Sequence, residues 1–258
     1  MRADKYFAEK YGSRTKAAEA IEKGLVLVNG APIRTKDEVR ETDVITFVEA
    51  QQSFVSNGGY KLARAIETFH FSCKNKVFVD IGASTGGFTD CLLQNGAAKI
   101  YAVDVGESLL HESLAGSKKI VRMENTNARY LTKDDFPQRI DAVVTDVSFI
   151  SLRLIFPAIK SILGDLGEAF VLIKPQFECE KKNIGKSGIV RPSAHAKIVE
   201  RVLGFAEENG LYPFGIVNAP VRKGKNIEYV LHIKAKREGS LSTAQAVDIV
   251  QRFLQELK

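Results

Sequence analysis

The sequence is poor in the residues that staple or metallate small proteins. Its 258 residues include three cysteines, Cys73, Cys91 and Cys179, far apart and with no CxxC pair. An odd, scattered set cannot build a disulfide framework and reads as free thiols of a reducing compartment. Four histidines, His70, His111, His195 and His232, have no ligand spacing, so no metal site is expected. No apolar run approaches the ~18 residues of a membrane helix. The opening MRADKYFAEK has no apolar core, so it does not read as a signal peptide. Internal repeats and low-complexity runs are also missing. Secreted and integral-membrane classes are disfavoured, and a cytoplasmic location is expected.

What is present is an ordinary globular composition, 45% apolar and 26% charged, neither disordered nor fibrous. The length suits one large domain, or a medium domain with a small appendage. Lys and Arg number 37 against 31 Asp and Glu, a net +6, which hints at a polyanionic partner.

Residues 1–50 read as a compact unit. A short amphipathic helix spans 2–11 and stops near Gly12. Ser13 caps a second helix with Ala17, Ala20 and Ile21 on one face, ended by Gly24. Strands follow at 25–28 and 44–48, the first running into the tight-turn pair Asn29-Gly30. The unit is neutral in sum, yet its helical part carries Arg2, Lys5, Lys10, Arg14, Lys16 and Lys23. A solvated mixed surface would read the same way.

Residues 51–56 read as a linker. From Lys76 the pattern turns to alternating strands and helices. Strands are expected at 76–81, 99–104, 120–124, 140–146 and 169–174, with helices around 88–95, 152–163 and 194–209. Two consecutive strands, 211–218 and 227–235, close the series. The fold class is therefore α/β, Rossmann-like: a mainly parallel, doubly wound sheet with an antiparallel edge hairpin. A small α+β domain precedes it, and a helix over 238–258 follows. In that helix Ser242 and Gln245 have capping-box spacing, and Val247, Val250, Leu254 and Leu257 form a stripe.

Between the first strand and its helix lies Asp80-Ile-Gly82-Ala83-Ser84-Thr-Gly86-Gly87-Phe88. Glycines there let backbone approach a ligand at a helix N-terminus. Asp104, 22 residues after Gly82, can accept hydrogen bonds from ribose hydroxyls. The loop is not GxGxxG, and Asp80 would repel a pyrophosphate while suiting a cationic amino-acid group. That favours S-adenosylmethionine over NAD; an ordinary Gly-rich turn is the bland alternative.

Ligands of open α/β sheets bind beyond the carboxyl ends of the strands. Asp146 ends the fourth strand and Lys174 the fifth. Glu228 starts the last strand, and Lys61 lies upstream of the first. A lone ammonium after a buried strand is costly, so Lys174 needs carboxylate partners or a function. Two lysines and two acids around one pocket suit methyl transfer to a hydroxyl, with a lysine as base.

The motifs DIGASTGGFTDCLLQNGA, YAVDVG, TDVSFISL, LIKPQFE, IGKSGIVR and NIEYVL together resemble those of the TlyA, or haemolysin A-like, family. The stretch RADKYFAEKYGSRTKAAEAIEKGLVLVNG resembles the RNA-binding module of ribosomal small-subunit protein four. The resemblance implies an S-adenosylmethionine-dependent rRNA 2′-O-methyltransferase, with an RNA-binding domain over 1–50 and an FtsJ-like domain over 57–237. It implies a Lys-Asp-Lys-Glu tetrad at Lys61, Asp146, Lys174 and Glu228, Lys174 being the central lysine. The implied cofactor contacts are Asp80, Gly82, Ala83, Ser84, Gly86, Gly87, Phe88, Asp104, Val105 and Asp146. The family commonly has Ser-Arg-Gly-Gly where this chain has Ser56-Asn57-Gly58-Gly59.

The expected function is methylation of ribose, on cytidine by resemblance, in rRNA of the small or large ribosomal subunit. RNA contacts are expected at phosphates, through Arg2, Lys5, Arg14, Lys16 and Lys23 of the first unit. A second surface is expected at Lys181, Lys182, Lys186, Arg191, Arg222, Lys223 and Lys225. The alternatives are an RNA-binding assembly factor with an inactive methyltransferase fold, a haemolysin-type membrane-active protein and a NAD-dependent oxidoreductase.

Overall fold

The computed structural model describes residues 1–22, 24–48 and 53–257. The expected RNA contact Lys23 and linker positions 51 and 52 lie outside the described residues. The chain forms two compact units, Met1–Ser53 and Phe54–Lys258.

The first unit contains helices α1 (Ala3–Tyr6), α2 (Ala8–Tyr11) and α3 (Arg14–Glu22), then strands β1 (Val26–Val28), β2 (Ala31–Pro32) and β3 (Ile45–Phe47). The strands form an antiparallel sheet in the order β2-β1-β3. The single helix expected over 2–11 is broken at Phe7 (φ −91°, ψ 2°). Phe7 is buried in the unit's core with Ala3, Ala17, Ile21, Val26 and Val39, and the break lets a short segment supply two packing faces. Gly12 ends α2 in the left-handed region. Asn29 and Gly30, both at positive φ, turn β1 into β2.

The second unit opens with a helix that the sequence reading did not anticipate, α4 (Asn57–Thr68). Then come β4 (Val77–Ile81), α5 (Gly87–Gln94), β5 (Lys99–Val103), α6 (Glu112–Ala115), β6 (Ile120–Met123), β7 (Ala142–Thr145), α7 (Phe156–Leu163) and β8 (Glu168–Ile173). The unit finishes with α8 (Pro175–Glu178), α9 (His195–Glu208), β9 (Tyr212–Asn218), β10 (Tyr229–Lys234) and α10 (Thr243–Glu256). Seven strands form one sheet in the order β6-β5-β4-β7-β8-β10-β9. Pairing is parallel from β6 to β8 and antiparallel at β8–β10 and β10–β9. The closing hairpin thus puts its second strand inside the sheet and its first at the edge.

The pleat sends alternate side chains to two separate cores. Phe78, Ile100, Val144 and Phe170 pack with Leu62 of α4 and Leu92 of α5. Val79, Tyr101, Val143 and Val171 pack on the other face with residues of α7, α9 and α10. The α10 capping box forms as expected. Its stripe differs at the end: Ala246 and Val250 are buried, whereas Leu257 is 47% exposed, because the helix has ended at Glu256.

From β4 the chain moves to β5 on one side and later to β7 on the other. That reversal is the topological switch point of such a sheet, where the crevice opens. The loops after β4 and β7 meet there.

Candidate functional site

The glycine loop leaves β4 by a tight bend, with the N–H groups of Gly82 and Ala83 both donating to the Val103 carbonyl, at 2.9 and 3.0 Å. Gly82 has φ +80°, and a Cβ there would sit 3.0 Å from the Asp146 carbonyl oxygen. The bend brings the two loops of the switch point into contact. Asp104, after β5, accepts from Ser84 N–H and Gly106 N–H, each at 2.9 Å. It thereby ties the glycine loop to the neighbouring strand end.

Beyond these strand ends lies a cavity of about 790 Å³, lined in part by Gly82, Ser84, Asp104, Val105, Asp146 and Asn127. A smaller one of about 130 Å³ adjoins it, lined by Ala83, Gly87, Phe88, Ser148, Lys174 and others. Two expected cofactor residues are placed differently from the rest. Gly86 is the left-handed cap of α5, packed under Leu114. Asp80 is 0% exposed and is absent from both cavity walls. Its Oδ2 accepts the Thr89 hydroxyl at 2.6 Å, while Oδ1 has no partner. Burial pushes its carboxyl up to about 7, against the pull of the Thr89 hydrogen bond. Phe88 lines the small cavity but is 2% exposed and belongs to the core, so little of its ring is open to a ligand.

This set fits a nucleoside carrying a cationic chain. Asp104 would supply acceptors for a diol, Asn127 an amide for a base edge, and Val105 and Leu109 apolar surface. Asp80 supplies an acid beneath the loop with an oxygen to spare. The sequence reading missed Asn127; its signal was a polar pair, Thr126-Asn127, just past β6 at the ligand end of the sheet.

The four charged residues converge beside the small cavity, each from a different element. Lys61 lies on α4, Asp146 follows β7, Lys174 follows β8 and Glu228 precedes β10. Lys174 Nζ is 2.5 Å from Asp146 Oδ1, and Lys61 Nζ is 3.8 Å from Asp146 Oδ2 and 2.6 Å from Glu228 Oε2. All four side chains are largely buried. Their alternating signs supply the pairing that buried charges need. Two further residues complete the row. Lys174 Nζ donates to Ser148 Oγ at 2.6 Å, and Gln176 Nε2 donates to Glu228 Oε1 at 3.1 Å. Neither is legible in the sequence, since a Ser and a Gln without charge carry no pattern of their own.

Glycines explain how Lys61 gets there. A Cβ on Gly59 would lie 2.2 Å from the Phe54 ring, and one on Gly87 would lie 2.2 Å from Ser56 Oγ and 3.0 Å from Gly59 N. The starts of α4 and α5 approach more closely than side chains would allow, which sets the first turns of α4 over the strand ends. Asn57, where the family commonly has Arg, opens α4. It lines a further cavity of about 220 Å³ with Lys61, Gln176, Arg222 and Lys225.

The expected RNA surface of this unit comes from two loops. Asn226 stitches them together, accepting from Val190 N–H at 2.8 Å and donating to the Gly188 carbonyl at 3.0 Å. Lys181, Lys182, Lys186, Arg191, Arg222, Lys223 and Lys225 are all exposed; Lys182 is paired with Glu180 at 2.7 Å. At the cavity rim Phe149 is 90% exposed. It adopts φ +63° and lies against Phe177, with ring centroids 5.0 Å apart. In the first unit Lys5 and Lys16 are exposed, whereas Arg2 and Arg14 both pair with Asp4. Among the described residues no helix is long and apolar enough to cross a membrane, and no cluster of side chains has the makings of a metal site.

Residues 54–235 match the family described as FtsJ-like methyltransferase, and residues 1–45 match the S4 domain. A Brachyspira hyodysenteriae protein named Hemolysin A is 41% identical over 238 residues, 90% of this chain and 99% of that protein. The 16S/23S rRNA (cytidine-2′-O)-methyltransferase TlyA of Mycobacterium tuberculosis is 37% identical over 248 residues, 95% of this chain and 92% of that one. A solved structure from Streptococcus thermophilus, described as a candidate hemolysin, is 35% identical. It aligns with a TM-score of 0.71, covering 100% of this chain and 98% of that one.

Proposed function

We propose a specific reaction for this chain, which belongs to the FtsJ-like methyltransferase family: 2′-O-methylation of a ribose in ribosomal RNA, on cytidine. FtsJ-like methyltransferases use S-adenosylmethionine, which supplies a methyl group on a sulfonium centre ready for in-line attack. The observation that carries the reading is the convergence of Lys61, Asp146, Lys174 and Glu228 beside the glycine-loop cavity.

The residues divide the work by position. Asp104, Asn127 and the loop from Gly82 to Gly87 hold the nucleoside end of the donor, and Asp80, behind the cavity walls, ties the end of β4 to α5 through Thr89. Lys174, adjoining the small cavity, holds the 2′-oxygen and takes its proton, while the methyl group would pass to that oxygen with cleavage of its bond to sulfur. Asp146 and Ser148 orient Lys174. Glu228 and Asp146 between them hold Lys61, whose ammonium steadies negative charge developing on the oxygen. Phe149 offers an exposed ring on which an unstacked base can rest. The basic loops stitched by Asn226 and the exposed basic groups of the S4 unit grip phosphates. The partner is rRNA or a ribosomal subunit, and the place of work is the cytoplasm.

The cytidine assignment takes its support from the Mycobacterium tuberculosis relative's name. No observation among the described residues favours the inactive-fold or membrane-active alternatives. Incubating the purified chain with rRNA and isotopically labelled S-adenosylmethionine, then mapping ribose methylation by mass spectrometry, tests the reading. One or a few 2′-O-methylcytidines are expected. Label found only on bases, or none in RNA at all, would refute it.

A further inference from the structure

In the S4 unit, two arginines that suit RNA are built onto an acid. Arg2 precedes α1 and Arg14 opens α3. Arg2 Nε donates to Asp4 Oδ1 at 3.2 Å and its Nη2 to Oδ2 at 3.3 Å, while Arg14 Nη2 donates to the same Oδ2 at 2.7 Å. The carboxylate is nearly buried, with Asp4 7% exposed, yet both guanidinium side chains are more than half exposed. Hydrogen bonds from Arg14, and then from Arg2, hold the Asp4 carboxyl down at about 2. It is therefore an anion at any working pH.

Asp4 is itself firmly seated. Its N–H donates to the Thr35 carbonyl at 3.3 Å, and the Ala3 N–H donates to the Asp37 carbonyl at 2.8 Å. Ala3 and Phe7, on either side of it, belong to the unit's core. Two arginines without this anion would repel each other and spread through their many rotamers. With it, two Nη2 nitrogens meet on one oxygen. Each guanidinium has five N–H donors, and Asp4 engages two from Arg2 and one from Arg14. The others remain on exposed side chains, in the planar fork that matches phosphate oxygens.

An acid at an RNA surface looks counterproductive, because its charge repels phosphate. Its placement answers the objection: it lies below two cations, and the cluster keeps a net positive charge. We infer that Asp4 is a positioning residue for RNA binding, holding Arg2 and Arg14 as one clamp for a backbone phosphate. This rests on the reading that the chain acts on rRNA.

The two ideas, charge alone and positioning, predict opposite signs for one substitution. Asp4→Asn removes a negative charge, so charge alone makes RNA bind more tightly. Positioning makes it bind more weakly, by about threefold to tenfold, because a pre-organised clamp is lost. The probe is deproteinised 16S and 23S rRNA, titrated with the full chain across a potassium chloride series. Thermal melting and calorimetry with S-adenosylhomocysteine serve as fold controls. The salt dependence of the variant should also be shallower, by about one phosphate contact. Equal or tighter binding by a variant that melts like wild type overturns the inference. If Asp4→Asn melts early, Arg14→Lys decides, since it keeps the charge and loses the fork. About threefold weaker binding is expected, and unchanged binding overturns the clamp. A wild-type chain that binds neither rRNA overturns the functional reading and this inference with it. A wild type that binds, with variants no weaker, overturns the inference alone.

Discussion

Lys61 Nζ lies 2.6 Å from Glu228 Oε2, joining the first helix of the methyltransferase unit to the residue that leads into its last strand. Asp146 continues the row to Lys174, so a charge removed anywhere along it leaves a buried partner uncompensated.

Lys174→Ala should lower the methylation rate by at least about 100-fold, the usual worth of a positioned base, with little change in affinity for S-adenosylhomocysteine. Lys174→Arg should be equally inactive, because a guanidinium keeps its proton. Single-turnover transfer of labelled methyl to rRNA, beside calorimetry, measures both. Activity retained in either variant would move the base to another residue.

Gln176→Leu should lower kcat by about 10-fold, the value of one hydrogen bond within a charged network, and leave KM for S-adenosylmethionine nearly unchanged. Gln176 reaches Glu228 and lines a different cavity from the glycine loop. Initial rates over a range of cofactor concentrations separate the two constants. A raised KM with normal kcat would instead make Gln176 a cofactor residue.

Gly82→Ala should damage binding and chemistry together. The left-handed conformation costs a residue with a Cβ about 1–2 kcal/mol. The new Cβ would also press on the Asp146 backbone, 3.0 Å from its oxygen, and push Asp146 away from Lys174. Calorimetry with S-adenosylhomocysteine and a melting curve are the checks; wild-type affinity with only a lowered Tm would leave Asp146 unmoved.

Stability should fall in acid through Glu168. Burial pushes its carboxyl up, but the His232 hydrogen bond and the charges of Lys234 and His232 overcome this and hold it down at about 2. A depressed carboxylate contributes stability that is complete above the unfolded value of ~4.3 and is lost as pH falls towards 2. The contribution is on the order of 2–3 kcal/mol. Denaturant melts of wild type and Glu168→Gln should differ at pH 7 and converge near pH 2. A constant gap across that window would assign the loss to packing.

Much of the fold could be read from the chain because its signals are local. Buried parallel strands such as Val77–Ile81 and Ala142–Thr145 are short apolar runs, and Gly12, Asn29-Gly30 and Ser242 punctuate elements by their own backbone chemistry. Helix α4 was not legible. It begins Asn-Gly-Gly, which local propensity reads as a loop. Those glycines serve contacts with Phe54, Ser56 and α5, and only the folded unit supplies those partners. The break at Phe7 has the same origin, since a buried ring overrides a helical pattern.

Asp146 and Lys174 stand out in the sequence because charge at the end of a buried strand is costly and therefore visible, whereas Lys61 and Glu228 join them through the family resemblance. Ser148, Gln176 and Asn127 do not stand out, because an uncharged polar residue acquires meaning only from its neighbour. Asp4 was the hardest to read: along the chain it is an acid diluting a basic face, and in space it is what gathers two arginines. The sequence by itself determined the alternation of strands and helices, the glycine loop and the presence of charges of both signs around the strand ends. These depend on a residue and its near neighbours. The tertiary structure alone decided which charge meets which, because that depends on strand order and on how closely two helix ends can approach. Lys61 reaches Glu228 only where β10 has inserted beside β8 and glycines have let α4 down onto α5.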